Sequence, residues 1–128
     1  MVKRKILVID DDSFWLRLLA RILGSADYDV HTAASCEDGV RMAENHEPDC
    51  ILLDFHQKDG DAVAVCSALR NCGKSSKCPV IVVSSDPGAE RTAYTECQAD
   101  YFVLKGSHSM LELPNKIREL LGNTERAG

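Results

Sequence analysis

Lys5-Ile6-Leu7-Val8-Ile9-Asp10-Asp11-Asp12-Ser13 is the stretch from which the rest of the chain can be read. Five residues with the character of a buried parallel strand run straight into three carboxylates. In open α/β sheets, ligands sit outside the carboxyl ends of the strands. Two unit charges about 4 Å apart repel by roughly 4 kcal/mol at an effective dielectric of about 20, so a cation is the natural remedy for such a triplet. Asp12 or Ser13 can cap a following helix. Capping accounts for one acid and not for three.

The same design recurs downstream. Asp49-Cys50-Ile51-Leu52-Leu53-Asp54 is a second apolar strand closing on a carboxylate, and Pro79 to Ser85 is a third that ends on hydroxyls. Tyr101 to Lys105 closes on a lysine, and Asp29 to Ala33 is a shorter strand with weak alternation. Between them lie helical patterns. At 100° per residue, Trp15, Leu19, Ile22, Leu23 and Ala26 share one face of a helix over 13–26, with Arg17 and Arg21 opposite and Phe14 nearer the polar stripe. Ser35 offers an N-cap to a helix over 36–46 that turns Val40 and Ala43 inward, and Pro48 closes it. Residues 55–61 read as a polar loop, 62–71 as a helix, and 71–77 as a Gly/Ser/Lys linker. Asp86-Pro87 suits the start of a short helix to about Cys97. Ser109 to Glu112 resembles a capping box, though Pro114 suits a first turn and can move the start to Leu113. That helix is expected to run to Leu121 and stop at Gly122, with 123–128 frayed.

Five strand signals alternating with five helical ones imply right-handed βαβ units: an α/β fold with a parallel sheet and helices on both faces. No repeat or second domain is visible, so residues 1–128 are expected to form one domain with a core over about 4–121. Asp10, Asp11, Asp12, Asp54, Ser84 and Lys105 then converge on the carboxyl edge of the sheet.

Composition narrows the function. A net charge of −5, with no basic cluster longer than Lys3-Arg4-Lys5, argues against a nucleic-acid surface. No apolar run approaches a signal peptide or a membrane span, so a cytosolic location is expected. The six cysteines contain no Cys-x-x-Cys pair and no accompanying His-x₃₋₅-His, which favours structural thiols over zinc. Cys72 and Cys78 flank a loop and are the pair to test for oxidation.

Clustered carboxylates suit a hard cation such as Mg²⁺, which takes one or two carboxylates, waters and phosphate oxygens. A carboxylate can also act as a nucleophile and form an acyl phosphate. A hydroxyl and a lysine nearby can hold phosphoryl oxygens. Together these groups form a set for phosphoryl transfer.

On these residues, across about 4–121, the sequence resembles a bacterial response-regulator receiver domain of the chemotaxis-regulator type. The resemblance implies a flavodoxin-like five-stranded (βα)₅ sheet of order 2-1-3-4-5. It implies Mg²⁺ (or Mn²⁺) at Asp10, Asp11, Asp54 and the backbone carbonyl of His56, with Asp54 phosphorylated by a histidine kinase or phosphotransfer protein. Ser84 matches the switch hydroxyl, Lys105 the phosphate-binding lysine and Phe102 the switch aromatic. His56 and Asp86 match positions that tune the lifetime of the phosphoryl group, the alternative for His56 being an exposed loop histidine. Phosphorylation is expected to draw Ser84 to the acyl phosphate and turn Phe102 inward. Such a protein, read as a stand-alone regulator and not a conventional enzyme, would signal to a downstream protein, with no nucleic acid or membrane as partner. If Phe14 is exposed, it becomes a candidate kinase contact.

The sequence also departs from that family. Gln57-Lys58 replaces the usual Met-Pro after the phosphoacceptor, Ala62 replaces a glycine, and Gly106 stands where a cis proline usually follows the lysine. A cis bond before glycine costs roughly 2.5–4 kcal/mol, so a trans bond and a relaid loop are expected. Two further readings remain. One is a degenerate receiver that only binds proteins. The other is a haloacid-dehalogenase-type phosphatase, which Asp10-Asp11-Asp12-Ser13 nearly fits. That family needs further metal-binding aspartates beyond Lys105, where this chain has only Glu112, Glu119 and Glu125. A flavodoxin-type FMN site fits worse, because three carboxylates would repel the phosphate.

Overall fold

The computed structural model describes residues 2–71, 73 and 76–127. Strands β1 (Lys5–Ile9), β2 (Asp29–Ala33), β3 (Cys50–Leu53), β4 (Val80–Ser84) and β5 (Tyr101–Leu104) form one parallel sheet in the order β2-β1-β3-β4-β5. The expected strand order is therefore found. Helices α1 (Ser13–Ser25) and α5 (Leu113–Ala127) cover one face, and α2 (Cys36–His46), α3 (Ala62–Arg70) and α4 (Glu90–Thr95) cover the other.

Strand alternation divides the core between these faces. In β1, Ile6 and Val8 pack towards α1 and α5, while Leu7 and Ile9 pack towards α2 and α3. Both faces are buried, which is why the strands read as continuous apolar runs. At Gly39 a Cβ would come within 2.6 Å of the Ile9 side chain, so the glycine lets α2 lie close to β1.

Register fixes where the polar ends emerge. Ile9 lies opposite Leu53, and Ser84 lies opposite Leu104. The ladder extends one residue past each pair: Asp54 N–H donates to Ile9 O at 2.9 Å, and Lys105 N–H donates to Ser84 O at 2.8 Å. Asp10 and Asp54 thus leave the sheet side by side at the switch between β1 and β3, where ligands bind in this class of sheet.

Several local expectations change. Residues 55–61 are not a plain loop: His56–Gln57 and Gly60–Asp61 pair as a small antiparallel hairpin. The segment after Asp86 begins with a 3₁₀ turn, Pro87–Ala89, and α4 ends at Thr95 rather than near Cys97. No capping box forms at Ser109. A 3₁₀ segment, His108–Glu112, precedes α5, which starts at Leu113 with Pro114 in its first turn, where a missing N–H costs nothing. Helix α5 also continues through Gly122 to Ala127. A helical glycine costs only about 1 kcal/mol relative to alanine, which is not enough to end a helix. Among the described residues, no helix is long and apolar enough to cross a membrane.

Candidate functional site: an acidic pocket at the ends of β1 and β3

The three acids of the opening stretch have different fates. Asp12 is exposed and caps α1, its Oδ1 accepting from Phe14 N–H at 2.9 Å. Asp10 is 1% exposed, and its Oδ1 accepts from Asp12 N–H at 2.9 Å. Asp11 is half-buried and takes the backbone N–H of Lys58 at 2.7 Å. Together with Asp54, Asp10 and Asp11 offer carboxylate oxygens that all lie within 4.8 Å of one another.

A cation from the chain itself sits among them. Lys105 Nζ lies 2.7 Å from Asp10 Oδ2 and 3.4 Å from Asp54 Oδ1, with its side chain 5% exposed. The approach to Asp10 Oδ2 is off the hydrogen-bonding direction, so this oxygen is buried with no aligned donor. One ammonium does not neutralise three carboxylates. Burial, and then the charge of Asp10, push the Asp54 carboxyl up to about 6, against the pull of Lys105. An all-oxygen donor set with an unsatisfied buried oxygen fits a hard divalent cation.

The remaining expected residues lie in or just after the neighbouring strands. Ser84 is buried at the end of β4, and its Oγ accepts from Asp86 N–H at 3.1 Å. Asp86 caps the Pro87–Ala89 turn, and its Oδ2 lies 2.9 Å from His56 Nε2. That contact, followed by the Gly88 N–H, holds the Asp86 carboxyl below its usual range. His56 is exposed, with Asp86 as its partner. Gln57 adds a polar tie, its Nε2 donating to Asp54 O at 3.1 Å.

Phe102 lies inside the core in this structure. It is 8% exposed and packed in the core beside Ala89, Ala93 and Cys97, with its N–H donating to Tyr94 Oη at 3.0 Å. Tyr94, itself partly exposed, is thus a hydrogen-bond acceptor for the backbone of β5. The 105–106 bond is trans as expected, with Gly106 at φ 81° and its N–H directed to Met110 Sδ at 3.1 Å. Proline could not supply that donor.

Phe14 is 57% exposed, with its ring set edge-on to Trp15 at 5.2 Å. Trp15 in turn lies 5.2 Å from Lys105 Nζ. The periodic pattern places Trp15 on the core face of α1 and does not reveal this contact, which depends on how far the Lys105 side chain reaches. Cys36, Cys50, Cys66, Cys78 and Cys97 are free. Burial pushes the Cys50 thiol up, and burial with Asp59 beside it pushes Cys36 up to about 12. Cys72 lies outside the described residues, so the Cys72–Cys78 pairing does too.

The family model of the response regulator receiver domain matches residues 6–118. The chain belongs to that family. Among curated relatives, a probable transcriptional regulator ycf27 of Cyanophora paradoxa is 36% identical over 124 residues, covering 96% of this chain and 50% of the relative. The chain thus spans about half the length of the curated relatives it matches. A CheY-like receiver domain protein from Methanospirillum hungatei superposes with a TM-score of 0.82 at 26% identity, covering 99% of this chain and all of that one. The receiver domain of a Pseudomonas aeruginosa sensor histidine kinase, described with a magnesium ion coordinated in its active-site cleft, shares the fold at TM-score 0.82 and 21% identity, over 94% of this chain and 99% of its own. Receiver domains are regulatory signalling modules of two-component systems and not conventional enzymes.

Proposed function

We propose that this receiver accepts a phosphoryl group on Asp54 from a histidine kinase or phosphotransfer protein. The observation that carries the reading is the Asp10–Asp11–Asp54 cluster with the Lys105 ammonium set between two of its members. An Asp54 carboxylate oxygen attacks phosphorus. A P–O bond forms as the donor's P–N bond breaks, and the nitrogen leaves with the bonding pair. With its carboxyl raised only to about 6, Asp54 is mostly ionised at neutral pH and available as the nucleophile.

Asp10, Asp11, Asp54 and the His56 carbonyl would hold Mg²⁺ or Mn²⁺, which supplies charge neutralisation for the phosphoryl oxygens. Lys105 and Ser84 would hold those oxygens from the other side. The paired His56 and Asp86 would limit access of water to the acyl phosphate. Exposed Phe14 is a candidate contact for the phosphodonor. The modified domain would signal to a downstream protein and would work in the cytoplasm beside its donor.

A second reading, a receiver that binds proteins without being phosphorylated, is favoured by one observation: Phe102 is already inward. One experiment separates the two. Wild type and Asp54→Asn are incubated with acetyl phosphate and Mg²⁺, and intact mass is recorded. An adduct on wild type alone supports the phosphoacceptor. No adduct on wild type, or an equal adduct on Asp54→Asn, overturns it.

A further inference from the structure

Lys105 must do two things in the reading proposed above. It is ion-paired to Asp10 and Asp54 before reaction, and it must stay aimed at the site once those acids are engaged elsewhere. A lysine ammonium sits on a flexible four-carbon stem and has no intrinsic direction. Among the described residues its Nζ has three neighbours: Asp10, Asp54 and the ring of Trp15, whose centroid is 5.2 Å away.

We propose that Trp15 is a positioning residue for Lys105, its indole face holding the ammonium on the one side where no acid competes for it. Two further contacts fix the indole. It packs against the core that α1 shares with α5, and Phe14 abuts it edge-on at 86° between ring planes. A cation within about 6 Å of an indole centroid is attracted by the ring quadrupole, more strongly when both are shielded from water. Lys105 is shielded in this way. Because the attraction is to a neutral ring, it persists when Asp10 takes a metal and Asp54 takes a phosphoryl group. Lys105 therefore keeps its aim when both carboxylate partners are lost.

The inference rests on the phosphoacceptor reading, and its test keeps the two apart. Wild type, Trp15→Leu and Trp15→Phe are compared in two measurements: the chemical shift of the Lys105 Hε protons, and the rate of acyl-phosphate formation from acetyl phosphate with saturating Mg²⁺. The expected wild-type result is an upfield ring-current shift of those protons. Trp15→Leu should abolish the shift and slow adduct formation about five- to tenfold, equivalent to about 1–1.4 kcal/mol. Trp15→Phe, which keeps a π face, should restore part of both. An unshifted Lys105 signal in wild type overturns the proposal, as does a Trp15→Leu rate within about twofold of wild type. Equal slowing in both variants also overturns it, since packing alone would then be at stake. If Trp15→Leu does not fold, the wild-type shift and the Trp15→Phe rate decide. A wild type that forms no adduct overturns the phosphoacceptor reading, and the positioning role with it.

Discussion

The two halves of the sheet's carboxyl edge differ in how their polar groups are satisfied. At the ends of β1 and β3, three carboxylates crowd together, Asp10 Oδ2 has no aligned donor, and Asp54 is pushed up to about 6. At the ends of β4 and β5, the groups are partnered. Ser84 Oγ accepts from Asp86, Phe102 N–H reaches Tyr94, Gly106 N–H reaches Met110, and Ser107 Oγ donates to Leu104 O at 2.7 Å. Unfavourable electrostatic energy is concentrated in the first half, so a ligand that relieves it gains most there. The second half is settled and is suited to reporting a change, not to driving one. Lys105 belongs to both, following β5 in the chain and placing its ammonium among the acids that follow β1 and β3.

Removing that link should have the largest effect. Lys105→Met leaves buried acids without their counter-charge and is expected to lower stability by about 3–5 kcal/mol at pH 7.5, measured by urea unfolding. The loss should shrink at pH 5, where Asp54 takes up a proton. An equal loss at both pH values would show that packing, and not charge, dominates.

A divalent cation should relieve the same half. Mg²⁺ at about 100 times its dissociation constant should stabilise the protein by about 2.7 kcal/mol, visible as a rise in Tm, and Asp11→Asn should weaken the response. An unchanged Tm across millimolar Mg²⁺ would count against the metal site.

Asp54→Asn probes the strain without a ligand. The carboxyl titrates near 3.8 unfolded and near 6 folded. The folded state therefore binds the proton more tightly, and stability falls as pH rises from about 4 through 6. The asparagine variant avoids this loss, so it should be more stable than wild type by about 1–3 kcal/mol at pH 7.5, with the difference fading below pH 4.

The settled half should give the smallest change. Tyr94→Phe removes the acceptor for Phe102 N–H and should cost about 1 kcal/mol in urea unfolding. A cost comparable to that of Lys105→Met would erase the distinction between the two halves.

The strands were legible because β1, β3 and β4 are buried on both faces and so carry unbroken apolar runs. The site was legible because its groups sit one residue past those runs, at Asp10, Asp54 and Lys105. Other features were not. The 56–61 hairpin rests on two short pairings with no periodic signal, and Gly122 looked like a stop that α5 simply passes through. The burial of Phe102 in a core shared with Ala89 and Ala93 joins residues far apart in the periodic pattern.

By itself the sequence determined the α/β alternation, the apolar strands and the chemical types arrayed at their ends, since these follow from local periodicity and from the residue that ends each run. Only the tertiary structure decided which charges meet. Pairing Ile9 with Leu53 sets Asp10 beside Asp54. The reach of the Lys105 side chain to the ends of β1 and β3 brings its ammonium to Trp15. The loop's return lays Lys58 N–H on Asp11. Electrostatic energy depends on distance through space, and no spacing along the chain encodes it.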